Sequence, residues 1–181
     1  PIPDGVPLER AVLAANLETA INATWDVPPR TGDRVAVIGG GVVGCLVAWL
    51  AGHVAGTRVT LVDPNPARAE VARQLGVDWQ PPDAFTAQGH DVLFEASGAP
   101  EALRQALAAA GTEATITVLS WFGDRDVSLP LGEAFHARRL TLRSTQVGRV
   151  APDRAARWSH ARRLGLALEL LADPGLDALI S

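Results

Sequence analysis

Residues 34–63 run RVAVIGGGVVGCLVAWLAGHVAGTRVTLVD. Arg34–Ile38 is a short apolar run rich in β-branched residues, the composition of a buried strand. A glycine turn follows, Gly39-Gly40-Gly41-Val42-Val43-Gly44, then a mostly apolar helical stretch and a second buried strand, Arg58–Val62. Asp63 closes that strand nineteen residues after Gly44. Strand, glycine turn, helix, strand and acid, in that order, form the βαβ pattern of a dinucleotide-binding fold. Each position has a physical role. Gly39 lets the chain leave the strand in a tight turn, and Gly41, lacking Cβ, lets the backbone approach a pyrophosphate. Gly44 lets the helix lie close on the sheet. The helix N-terminus offers free N–H groups and partial positive charge to the phosphates. Asp63 stands where a carboxylate accepts hydrogen bonds from an adenosine ribose. Alone, GGGVVG fits equally a glycine turn in an α/β domain that binds nothing. The VAVI strand before it, the apolar helix after it and the acid beyond favour nucleotide binding.

The 181 residues suffice for one domain with a sizeable core. Apolar residues make up 48% and charged residues 20%, with a net charge of −4. That balance argues for a soluble globular protein and against electrostatic binding of nucleic acid or a membrane surface. No apolar run reaches membrane-spanning length and no leader pattern is visible, so a cytoplasmic location is expected. Cys45 is the single cysteine, which excludes an internal disulfide and a thiolate metal cage. Its place in the first turn after the glycines would suit a low-pKa redox thiol, but buried filler is the preferred reading. His53, His90, His136 and His160 lie apart without ligand spacing and read as ordinary surface or half-buried residues. Arg154, Arg157, Arg162 and Arg163 read as the solvated face of a helix, ahead of a phosphate patch. The chain opens on Pro1 and contains no methionine, so a piece of a longer protein is expected.

Outward from the central stretch, periodicity predicts a lead-in helix over 8–25, with a linker to residue 33 broken by Pro28-Pro29 and Gly32. Helices are expected at Val42–Ala55, at Pro66–Leu75 with Asn65 as cap, at Pro100–Ala110 and over Asp153–Ala172. Val77–Trp79, Asp91–Glu95, Ala114–Leu119 and Leu140–Ser144 are further extended pieces, and 80–89 is a polar loop. A short helical stretch is expected at Leu131–Ala137. Alternation of this kind implies an α/β domain, a doubly wound six-stranded parallel sheet with helices on both faces. Asp63 favours NAD over NADP, since a carboxylate there would face the 2′-phosphate with like charge. Arg68, in the first turn of the next helix, could lean over the ribose or soften that repulsion, which keeps NADP possible.

The segments PDGVPLERAVL, TGDRVAVIGGGVVG, VDPNPARAEVARQLGV, DVLFEASGAPEAL and LADPGLDALIS together resemble the cofactor domain of medium-chain, zinc-type alcohol and sorbitol dehydrogenases. The resemblance runs from about Pro3 to Ser181 and implies a Rossmann fold, with the catalytic domain and its zinc in other parts of such chains. It implies roles residue by residue. Gly39, Gly41, Val42 and Gly44 match the pyrophosphate turn, and Val43 matches a residue behind the nicotinamide ring. Asp63 matches the ribose acid and Arg68 its accompanying cation. Ala96 and Ser97 match the adenosine side, and Leu119 and Trp121 match positions beside the nicotinamide. Thr145 and Val147 match backbone contacts to its carboxamide, and Thr19 matches a contact to the ring from the far side. No metal ligand or catalytic residue is assigned within the chain.

Three departures bear on function. Where the family often carries a metal-site Glu or Cys, this chain has Ala15 and Asn16, with Glu18 nearby as a substitute ligand or a surface acid. The glycine usual after the fifth strand is Ser120, followed by Trp121-Phe122, which either narrow the nicotinamide pocket or pack as loop hydrophobics. The leading expectation is an NAD-dependent alcohol or polyol dehydrogenase acting on a small alcohol or carbonyl. The alternatives are a zinc-free NADPH-dependent quinone or enoyl reductase, and a non-catalytic nucleotide-sensing module. A methyltransferase fits the DVLFEASG block poorly. By resemblance, Leu140–Ser144 is the edge through which two copies would pair.

Overall fold

The computed structural model describes residues 2–86 and 89–180. The loop expected at 80–89 thus includes two residues, Ala87 and Gln88, that lie outside the described part, as does Ser181 at the end of the resemblance. The strands are β1 (Arg34–Ile38), β2 (Arg58–Val62), β3 (Asp78–Gln80), β4 (His90–Glu95), β5 (Ala110–Val118) and β6 (Thr141–Ser144). They form one sheet in the order β3-β2-β1-β4-β5-β6, every neighbouring pair parallel. The order reverses between β1 and β4, the switch point beside which α/β sheets open a crevice at the strands' carboxyl ends.

The helices are α1 (Leu8–Ala11), α2 (Ala14–Asp26), α3 (Val42–Gly52), α4 (Arg68–Gln74), α5 (Pro100–Ala109) and α6 (His160–Leu170). Side chains alternate across each strand, so the sheet feeds two cores. Val35, Val37, Val59, Leu61, Val92 and Phe94 pack on one face against α2, α3, α4 and α6. Ala36, Ile38, Val62, Leu93 and Ile116 pack on the other against Leu103, Ala106 and Leu107 of α5. Leu17, Leu46, Leu61, Leu93 and Leu107 are almost wholly buried, each stabilising the fold by about 1.5–3 kcal/mol. No helix among the described residues is long and apolar enough to cross a membrane.

Element boundaries differ from the sequence expectation where capping and tertiary contacts decide them. The lead-in helix divides, with Val12 and Leu13 separating α1 from α2. The last long helix begins at His160 rather than near Asp153, because the Ser159 side chain accepts the Arg162 N–H and caps it there. Turns occupy 152–157 instead. Strand β5 starts earlier than expected, its register to β4 shifting between His90 and Val92. Glu113, in the left-handed region at φ 63°, takes up the extra residues. Leu131–Phe135 is a π-type turn kinked at Glu133.

Candidate nucleotide site

The glycine turn lies at the carboxyl end of β1, and its glycines differ sharply in what surrounds them. Gly39 adopts φ 111°, and a Cβ there would sit 2.7 Å from the Ala96 carbonyl and the Ser97 nitrogen. A Cβ on Gly44 would sit 1.8 Å from the Gly39 carbonyl oxygen, so only glycine lets α3 start this close to the strand. Gly41 has nothing within 4 Å of its would-be Cβ and faces open space. It is the N-cap of α3, and no side chain caps the helix. The first-turn N–H groups therefore have no partner within the helix and point to an anion seat. Val42 and Val43, half-buried, anchor that turn on the core.

Gly40, to which sequence reasoning assigned no role, holds the acid. Its N–H donates to Oδ2 of Asp63 at 2.7 Å, and Asn65 N–H donates to Oδ1 at 2.8 Å. The middle glycine of a triplet was the available signal. Arg68 is half-buried at the start of α4 and makes no ion pair among the described residues. Cys45 is buried beneath the turn, its Sγ 3.4 Å from the Gly40 carbonyl. Burial pushes the thiol up to about 11, with Arg68 opposing and Asp63 adding to the rise. Burial and the raised pKa both favour the buried-filler reading of Cys45 over a redox thiol.

Two clefts open along the carboxyl edge of the sheet. The first, about 610 Å³, runs over the ends of β1, β2 and β4 and is lined by Gly39, Gly41, Asp63, Ala96 and Ser97. Pro82, Glu101 and Gln105 complete its far wall. Pro82 and Gln105 lie outside the quoted motifs, and Gln105 Nε2 on α5 donates to the Pro82 carbonyl. The second, about 540 Å³, lies at the ends of β5 and β6 and is lined by Thr19, Leu119, Trp121, Thr145 and Val147. Every residue expected beside the nicotinamide meets there, Val43 excepted, although 128 positions separate Thr19 from Val147 in the chain. Val42, Val43, Gly44 and Arg68 line neither cleft.

Between the clefts, Glu95 is fully buried at the end of β4. Its Oε1 accepts from Ser97 N–H, Ser97 Oγ and Gly98 N–H, which fixes the Ser97-Gly98 turn. Ser120 supports the same turn from the other side. Its Oγ accepts the Gly98 N–H at 2.8 Å and ties the end of β5 to it. The two aromatics after Ser120 part ways. Trp121 borders the second cleft at 90% exposure, whereas Phe122 packs against the α5-side core.

Two expectations need correction. His90 is fully buried rather than half-buried, its ring against Phe85 and its Nδ1 3.4 Å from the Ala109 carbonyl. The arginine cluster is only partly a solvated face, since Arg157 and Arg162 are exposed but Arg154 is half-buried and Arg163 buried. Arg163 is 2% exposed, Arg154 stacks over Trp25 and Arg162 over Trp158. Glu18 pairs with Arg163 at 3.1 Å. Among the described residues, no group of three or more His, Cys, Asp or Glu side chains could hold a metal ion.

Comparison with known proteins bears on this site. The family described as zinc-binding dehydrogenase matches residues 42–165, well over half of the chain. The 2-dehydro-3-deoxy-L-galactonate 5-dehydrogenase of Pseudoalteromonas atlantica is 32% identical over 129 residues, 66% of this chain and 38% of that protein. The D-guloside 3-dehydrogenase of Escherichia coli is 27% identical over 187 residues, covering 97% of this chain and 53% of its own length. The solved structure of an alcohol dehydrogenase from Thermus sp. ATN1 superposes with a TM-score of 0.77 at 25% identity, over 98% of this chain and 51% of that one. The chain thus spans about half the length, or less, of the proteins it matches. With its glycine turn, its reversed strand order and these likenesses, the chain belongs to the zinc-binding dehydrogenase family, the zinc-type medium-chain dehydrogenases.

Proposed function

We propose that this chain is the NAD(H)-binding unit of a medium-chain alcohol or polyol dehydrogenase. The observation that carries the reading is the single edge of sheet on which both clefts open, one beside the glycine turn and Asp63, the other beside Thr145 and Val147. That edge suits a two-part ligand. The α3 N-terminus and Gly41 bind the pyrophosphate, Asp63 binds the adenosine ribose, and Ala96 and Ser97 wall the adenosine side. Thr19, Leu119 and Trp121 flank the nicotinamide, Val43 packs behind its ring from beneath the turn, and Thr145 and Val147 meet its carboxamide. When bound, the nicotinamide exchanges a hydride with the alcohol or carbonyl carbon. The chain's own residues orient the ring and exclude water from one side of it. Among the described residues no group of His, Cys, Asp or Glu side chains fits the zinc that the family name implies.

Asp63 makes NAD the preferred cofactor and opposes the NADPH-dependent reductase reading. Arg68 is the residue through which NADP would be tolerated. A second copy pairs along β6, which ends the sheet with all four residues exposed; sedimentation of the chain in solution tests that pairing. Calorimetric titration with NAD and NADP tests the site itself. NAD is expected to bind more tightly. Tighter binding of NADP overturns the ribose assignment, and binding of neither overturns the whole reading.

A further inference from the structure

Glu18, Asn22 and Asp26 are spaced by four along α2 and so form one row on its surface. The row meets a guanidinium from the far end of the chain. Arg163 on α6, 2% exposed, donates from Nε to Oε1 of Glu18 at 3.1 Å and from Nη1 to Oδ1 of Asn22. Its Nη2 donates to the Val147 carbonyl at 2.6 Å. Asn22, itself fully buried, donates from Nδ2 to Oδ2 of Asp26 at 3.1 Å, and to Oγ1 of Thr145 and the Gln146 carbonyl at 3.4 Å each. Thr145 Oγ1 donates to Oδ2 of Asp26 at 2.6 Å, and Arg143 pairs with Oδ1 of Asp26 at 3.1 Å. Two cations meet two anions, so the network is charge-balanced.

This network braces the second cleft from behind. Thr19, the neighbour of Glu18, lines one side of the cleft, and Thr145 and Val147 line the other. The Gln146 carbonyl accepts from the Arg149 N–H at 3.0 Å and from Asn22 Nδ2 at 3.4 Å, and the Val147 carbonyl accepts from Arg163. The Gln146–Val147 peptide is trans, so its N–H points opposite to the carbonyl that Asn22 holds. No acceptor takes the Val147 N–H among the described residues. A buried, multiply bonded guanidinium is rigid, because any movement leaves a desolvated charge unpaired.

We propose that Arg163 and Asn22 are positioning residues for the nicotinamide half of the cofactor, holding the Thr145–Val147 segment so that the Val147 N–H is presented to the ligand. This rests on the nucleotide-binding reading above. ADP-ribose lacks only the nicotinamide, so it separates the two halves of the site. Calorimetry should show NADH binding the 181-residue chain more tightly than ADP-ribose. The double variant Arg163→Met with Glu18→Gln removes both charges while keeping similar volume, a replacement that buried pairs often tolerate. It is expected to lose about tenfold in NADH affinity, the scale of one hydrogen bond, with ADP-ribose affinity unchanged. Unchanged NADH affinity, or equal loss for both ligands, overturns the inference. So does a wild-type chain that binds the two ligands equally, which leaves the adenosine half of the site standing. A wild-type chain that binds neither removes the nucleotide reading itself. Should the double variant not fold, the amide resonance of Val147 in the wild-type chain decides. It should shift with NADH and stay in place with ADP-ribose, and a resonance unmoved by NADH overturns the inference.

Discussion

The Gly40 N–H donates to the Asp63 carboxylate at 2.7 Å, binding the end of β2 to the glycine turn at the end of β1. A Cβ on Gly40 would lie 3.1 Å from that same carboxylate oxygen. The acid therefore acts twice, locking the turn and offering its remaining lone pairs outward.

Those two roles separate by substitution. Asp63→Ala should weaken NAD binding by about 1–3 kcal/mol and also lower stability, since two amides lose a charged acceptor. Asp63→Asn keeps a carbonyl oxygen for one amide and should lose less stability than affinity. Calorimetry and thermal denaturation on both variants check this. NAD affinity left intact in Asp63→Ala would remove Asp63 from the ribose site.

Gly44→Ala and Gly41→Ala should behave oppositely. At Gly44 the new methyl would overlap the Gly39 carbonyl at 1.8 Å, so α3 must shift off the strand. A loss of about 3 kcal/mol or more is expected, beyond the usual range for a single substitution. At Gly41 the methyl meets no protein atom within 4 Å, so stability should change by less than about 0.5 kcal/mol. There the methyl intrudes on the ligand, and nucleotide affinity should fall. Urea denaturation and NAD titration of the two variants give the comparison; a stable Gly44→Ala protein would contradict the packing argument.

His90 makes the fold sensitive to acid. Burial lowers its pKa below the ordinary 6.5, with the Ala109 carbonyl partly opposing. The unfolded chain takes up this proton at a higher pH than the folded one. The stability His90 contributes as a neutral ring is therefore complete above about pH 6.5 and declines as pH falls below it. The slope should flatten in His90→Phe, which keeps the packing on Phe85 without the titration. Denaturation midpoints between about pH 5 and 8 measure it, and identical slopes in the two proteins would rule His90 out.

Much of this was readable in one dimension. The glycine turn and Asp63 are local, because a βαβ unit places its own two ends together. The strands β1, β2 and β4 were legible as apolar runs for the same reason that they are buried on both faces. Ser120, by contrast, looked like a departure from a glycine. Its partner, the Gly98 N–H, lies 22 positions away and meets it only across the β4–β5 pairing.

The sequence by itself determined the parallel α/β sheet and the glycine turn, since periodicity and a glycine's missing Cβ act over a few residues. Only the tertiary structure decided that Arg163 is buried rather than solvated, and that Glu18 and Asn22 receive it. A charged side chain reads as exposed until its counter-ion is found. Here that partner is 145 positions away, brought close only when α2 and α6 pack on the same face of the sheet.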